Sequence, residues 1–190
     1  MKVMKASEMT AAITAELQET LASVSDTQLD LLAQKICTAK RVFLTGAGRS
    51  LLMIRACAMR LMQLGLTAYV PGEVVTPAIQ PGDLLIVASG SGETATVALM
   101  AKKAKEIGAE VALITIMPDS TIGGLADLII PVDAASTKVA ENKKTSVQLG
   151  GSLFEIGVLL LLEAVTMLVV EKKGITDPNG LLMKNHANLE

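Results

Sequence analysis

The chain has 190 residues, a length that suits one domain with a sizeable core. It is 51% hydrophobic but only 2% aromatic, with no Trp, so the core must be aliphatic. A net charge of −2, with no basic stripe and no aromatic stacking platform, argues against nucleic acid as a partner. An anionic small ligand stays open, because backbone amides and a few hydroxyls can hold one phosphate.

Residues 4 to 22 carry Met4, Met9, Ile13, Leu17 and Leu21 at helical spacing and predict an amphipathic helix. The segment from Met1 to Glu8 lacks the apolar stretch of a signal peptide. Ser25 or Asp26 caps a second helix running to about Lys40, with Leu29, Leu32, Ile36 and Cys37 as its apolar positions. Arg41-Val-Phe-Leu-Thr45 then reads as a short strand ending in Gly46-Ala-Gly48, with a helix from Ser50 to about Leu64. Thr67-Ala-Tyr-Val70 is a second strand. Asp83 to Ser89 is a third, again followed by a glycine-rich turn and a helix, from Thr94 to Ile107. Glu110 to Thr115 is the fourth strand, and Asp127 to Pro131 is the fifth, after a short helix near Thr121. Residues 133 to 146 are polar, with Lys138, Glu141, Asn142, Lys143 and Lys144, and predict a loop. A long helix from about Ser152 to Lys173, a short helix, and a tail through His186 to Glu190 complete the chain.

Near-continuous apolar strands alternating with helices predict an α/β three-layer sandwich, a parallel sheet covered on both faces. The expected organisation is one domain over 1–190: helices 4–40, an α/β core 41–131, and helices with a tail over 152–190. The apolar run from Gly157 to Val170 is interrupted by Glu163 and preceded by Glu155. It is too short and too acidic for a membrane span, and predicts a helix buried in the core or between subunits. Glu163 is expected at an inter-helix seam. Cys37 and Cys57 have no metal-ligand spacing and read as reduced core thiols of a cytoplasmic protein. With one histidine and no suitably spaced acidic cluster, a metal is not expected.

Ligands of open parallel sheets bind beyond the carboxyl ends of the strands. Ser89-Gly-Ser-Gly-Glu-Thr94 is the stronger of two such turns. Its glycines let the backbone approach an anion, and the following helix offers unpaired amides and a positive dipole end. Ser89, Ser91 and Thr94 add three hydroxyls, more than an ordinary helix cap needs. Thr45-Gly-Ala-Gly-Arg-Ser50 is the other turn. A dinucleotide reading fails there, since the third glycine position is Leu51 and the acid further on is at best Glu73. Gly48, Arg49 and Ser50 instead suit a second ligand wall, although Arg49 serves equally well as an ion-pair partner. Glu93 is a candidate acid or a partner for Arg49. Glu155 opens an apolar helix, where a carboxylate either accepts protons or steadies the helix N-terminus. His186, the only histidine, sits in the tail.

The Ser89–Thr94 segment after an apolar strand resembles the phosphosugar-binding signature of sugar isomerase (SIS) domains. Further segments resemble one branch, the 6-phospho-3-hexuloisomerases: Gly46-Ala-Gly-Arg-Ser50, Ala58-Met-Arg-Leu-Met62, Gly72-Glu73 with Thr76-Pro77, Gly151-Ser-Leu-Phe-Glu155 and His186-Ala-Asn-Leu-Glu190. The resemblance implies a flavodoxin- or Rossmann-like sheet of five parallel strands, usually in a homotetramer. It also implies interconversion of D-arabino-3-hexulose 6-phosphate and fructose 6-phosphate without metal or cofactor, as in formaldehyde fixation through the ribulose monophosphate pathway. Ser89, Gly90, Ser91 and Thr94 with Gly48, Arg49 and Ser50 would hold the phosphorylated sugar. Glu155 becomes the expected base, and His186 a second catalytic group acting in its own or a neighbouring subunit's site. Two positions depart from the family pattern. Leu51 stands where glycine is usual and is expected beside the site, and Gln148-Leu149-Gly150 replaces Gln-Pro-Met at the entry to the Glu155 helix. The alternatives are a SIS isomerase for another ketose or aldose phosphate, or a non-catalytic sugar-phosphate sensor.

Overall fold

The computed structural model describes residues 5–137 and 144–189. Met1, Met4, Lys138, Glu141, Asn142, Lys143 and Glu190 lie outside the described residues. The strands are β1 (Val42–Gly46), β2 (Ala68–Tyr69), β3 (Leu84–Ala88), β4 (Glu110–Thr115) and β5 (Leu128–Pro131). The helices are α1 (Ala6–Ala22), α2 (Asp26–Thr38), α3 (Gly48–Gln63), α4 (Ala95–Ile107), α5 (Ser152–Lys172) and α6 (Pro178–Lys184). A 3-10 turn, Gly123–Leu125, takes the place expected for a short helix near Thr121.

All five strands are parallel and stand in the order β2-β1-β3-β4-β5. Helix α2 ends before Lys40 because Ala39 turns extended and the Lys40 amide bonds Gly82 O at 3.0 Å, feeding the chain into β1. Helix α3 starts at Gly48, two residues before the expected Ser50. On one face of the sheet, α2, α3 and α5 share a core that includes Leu32, Ile54, Ile86, Val158 and Val165, and α1 packs outside against α5. On the other face, α4 and the 3-10 turn cover Phe43, Leu85, Val87 and Leu113. The three layers are thus helices, sheet, helix.

Helix α5 is 21 residues long, and its bounds, Ser152–Lys172, fall within one residue of those expected. By length and composition it is able to cross a membrane, with a mean hydropathy of 2.4 over 18 residues. Half of that window is buried, and Leu153, Val158, Leu161, Val165 and Val169 belong to the main core. It is the core helix its pattern predicted. Its Glu163 faces Arg60 of α3 at 3.9 Å, across the expected helix seam. Cys57 is buried and Cys37 half-buried, both as free thiols.

At the amino ends of the strands, the fully buried Asp83 carboxylate accepts from Arg41 Nε at 3.1 Å, Arg41 Nη2 at 2.6 Å and the Gln80 amide at 2.8 Å. This bidentate pair ties the start of β1 to the start of β3.

Candidate active site

The strand order reverses direction between β1 and β3, so α3 leaves toward one face and α4 toward the other. Such a switch point opens a crevice at the carboxyl ends of its two strands. The Gly46–Ser50 and Ser89–Thr94 turns leave from those two ends, and Gly46 pairs in register with Ala88. A Cβ at Gly46 would stand 2.9 Å from Ala88 O, so the close approach of the strands requires glycine there. Gly48 has φ +56°. Both glycines are thus explained without a dinucleotide. Glu73 is held by Arg55 Nη2 at 2.7 Å.

The Ser89–Thr94 turn is folded around its own amides. Ser89 Oγ accepts from the Gly92 amide at 3.2 Å, and Ser91 Oγ accepts from the Glu93 amide at 3.2 Å. Each hydroxyl hydrogen remains available to a ligand. Gly92 has φ +64°, and a Cβ there would lie 1.9 Å from Ser120 Oγ. Thr94 is the N-cap of α4, yet its side chain makes no cap bond. Among the described residues, the amides of Gly90, Ser91 and Thr94 find no protein acceptor. Amides, hydroxyls and the positive end of α4 therefore line one turn, a set of groups that suits an anion without a lysine.

The third wall is the first turn of α5. Glu155 Oε2 lies 2.5 Å from Arg49 Nε, with the carboxylate side chain 13% exposed and the guanidinium 58% exposed. Gly151 leaves room beneath it, since a Cβ there would stand 3.4 Å from Glu155 Oε1. Arg49 therefore lines the cleft and is at the same time an ion-pair partner, of Glu155. Glu93 does not line the cleft, and it is not the partner that Arg49 takes. Its carboxylate accepts from the Thr121 amide at 2.7 Å and Thr121 Oγ1 at 2.6 Å, and those bonds lower it from its ordinary value. It braces the turn from outside.

These walls enclose a cleft of about 180 Å³, lined by Ala47, Gly48, Arg49, Ser50, Ala88, Ser89, Gly90, Ser91, Thr94, Ser136, Gly151, Phe154 and Glu155. The fold thus gathers every expected site residue except His186. A larger groove of about 310 Å³ lies over Phe43, Leu85 and Leu99, but it is mainly apolar and gathers no acid. His186 follows α6, where Asn185 Nδ2 bonds Gln63 O at 2.9 Å, at the far end of α3 from Arg49. Sixteen helical residues separate those ends by roughly 22 Å, so His186 does not reach the cleft of its own chain. Leu51 is not a cleft residue either, and it packs against the main core. One residue of helix turns a side chain by about 100°, enough to carry position 51 from the cleft that Ser50 lines to the interior. Sequence reasoning missed Ser136 and Phe154. Ser136 looked like any residue of a polar loop, and Phe154 like a core residue, which at 2% exposure it also is.

Among the described residues no three His, Cys, Asp or Glu side chains group as a metal site would require. What the cleft does provide is a carboxylate beside a guanidinium, in a lining that the Ser89–Thr94 turn shares. That arrangement suits proton transfer on a small anionic substrate.

The comparisons with known proteins give the family. The SIS domain model matches residues 35–150. The 3-hexulose-6-phosphate isomerase of Bacillus subtilis is 42% identical over 187 residues, covering 98% of this chain and 100% of the relative. That of Mycobacterium gastri is 44% identical over 175 residues, covering 92% and 86%. The crystal structure of a hypothetical protein from Methanococcus jannaschii, reported as inferring a function of 3-hexulose-6-phosphate isomerase, has a TM-score of 0.80 at 31% identity and covers 96% of this chain and 99% of that one. The fold and site define a phosphosugar isomerase. The chain belongs to the SIS-domain family and, within it, to the 6-phospho-3-hexuloisomerases.

Proposed function

We propose that the protein interconverts D-arabino-3-hexulose 6-phosphate and fructose 6-phosphate through a cis-enediolate, with Glu155 as the base. The observation that carries this reading is the Arg49–Glu155 pair at 2.5 Å beside the amide-lined turn. The phosphate sits on Ser89, Gly90, Ser91 and Thr94, while Gly48, Arg49 and Ser50 face the sugar. From the 3-ketose, Glu155 takes the C2 proton, an enediolate forms, and the same carboxyl returns the proton at C3. Arg49 supports the charge that develops on the oxygens. Neither step draws on a metal or cofactor. The proposed setting is the cytoplasm, in formaldehyde fixation through ribulose monophosphate.

The second group, moving protons between the two oxygens, is His186 of a neighbouring subunit in a homotetramer. Support comes from apolar side chains left exposed on three helices: Leu52, Met59 and Met62 on α3, Leu160 and Met167 on α5, and Met183 on α6. Two copies pairing antiparallel along α3 would bring each tail to the other's cleft.

The test is incubation with fructose 6-phosphate in heavy water. Deuterium should enter C3 as the 3-ketose appears, and Glu155→Gln should lower both rates by about 10²–10⁴-fold. Binding of fructose 6-phosphate by the native chain with neither exchange nor 3-ketose formation would refute this substrate assignment and point to another sugar phosphate.

A further inference from the structure

Glu16 of α1 lies outside the cleft, yet its carboxylate holds the segment that leads to Glu155. Its Oε1 accepts from the Val147 amide at 2.8 Å. Its Oε2 accepts from Ser146 Oγ at 2.6 Å and from Gln148 Nε2 at 3.2 Å. Ser146 Oγ also accepts from the Gln148 amide at 2.9 Å, which closes the segment on itself. Three successive residues thus converge on one carboxylate contributed by a helix about 130 positions earlier in the chain. Burial raises that carboxyl, but the bonds from Ser146, Val147 and Gln148 outweigh it and hold it below its ordinary value.

The next residues need such an anchor. Gly150, at φ +63°, is followed directly by Gly151, the N-cap of α5. Two adjacent glycines make a joint with little conformational preference of its own. Gly150 O accepts from the Thr137 amide at 3.3 Å, next to Ser136 of the cleft wall, and Gly151 O accepts from the Glu155 amide at 3.0 Å. The joint is therefore fixed on its far side by the cleft and on its near side by Glu16.

We propose that Glu16 is a positioning residue for Glu155, anchoring residues 146–148 so that the glycine joint presents the α5 first turn in one orientation. The catalytic part of this inference rests on the role proposed for Glu155.

The test compares the native chain with Glu16→Ala and Glu16→Gln, using amide hydrogen exchange without substrate, kinetics with fructose 6-phosphate and affinity for inorganic phosphate. Glu16→Ala should speed exchange at 147 and 152–155 and lower kcat by about tenfold, the scale of a small misplacement of a reacting group. Exchange over 89–97 and phosphate affinity should not change. Glu16→Gln keeps an acceptor for Val147 and a donor for Ser146, and should stay within about threefold of native kcat. Unchanged exchange over 147–155 in Glu16→Ala, or a rise spread evenly over the chain, would overturn the anchor. A native chain inactive on fructose 6-phosphate would instead overturn the proposed substrate, while the anchor would still stand or fall on exchange alone.

Discussion

Arg49 Nε and Glu155 Oε2 lie 2.5 Å apart although 106 residues separate them in the chain. The guanidinium is mostly exposed and the carboxylate mostly covered, so Arg49 caps Glu155 on its solvent side. Replacing Arg49 with Ala should lower kcat by roughly 10–100-fold, because the carboxylate loses the contact that aims it. Stability should change by less than about 1 kcal/mol, since a half-exposed pair contributes little. Arg49→Lys should restore only part of the rate, a point charge being a poor substitute for a planar fork. Steady-state kinetics beside thermal unfolding read both effects.

Gly92→Ala should damage the phosphate turn. The added methyl meets Ser120, and the left-handed backbone disfavours any side chain. A cost on the order of 1–3 kcal/mol is expected, with weaker binding of inorganic phosphate. Titration calorimetry and urea unfolding of the same variant would show it.

Asp83→Ala should cost about 3–5 kcal/mol, because it leaves Arg41 facing a buried gap. The melting temperature should fall by roughly 6–20 °C. Turnover by the folded fraction should be unchanged, since Asp83 lies at the other ends of the strands.

Burial pushes the Cys57 thiol up to about 12 from an ordinary 9.0. The folded chain therefore keeps a proton that the unfolded chain gives up. This contribution to stability is complete below pH 9 and is lost as pH rises toward 12, at a limiting slope of about 1.4 kcal/mol per pH unit. Chemical unfolding at pH 8, 9 and 10 should show that decline, and Cys57→Ala should flatten it.

Most of the fold was legible because its signals are local. The runs Asp83–Ser89 and Glu110–Thr115 are apolar throughout, and their ends are marked by glycine, so strands β3 and β4 fall where expected. The two cleft turns were legible for the same reason. What local pattern could not supply was direction and partnership. Glu93 sits inside the phosphate motif but turns outward to Thr121, a residue brought near only by the path after β4. Ser136 enters the cleft because the chain after β5 runs past the start of α5, which no property of a polar loop announces. His186 belongs to a recognisable terminal motif, yet its position depends on where α6 docks along α3.

The Arg49–Glu155 pair also bears on how the protein folds. It joins the turn after the first strand to the penultimate helix, and the cleft between them requires β1 and β3 already in register. Contacts of such long sequence separation form slowly, since the chain must give up loop entropy before they contribute anything. No fragment ending before residue 155 contains a complete cleft. Recovery of isomerisation during refolding should therefore lag behind the far-ultraviolet signal of the helices, and it reports arrival of the whole chain rather than of any part.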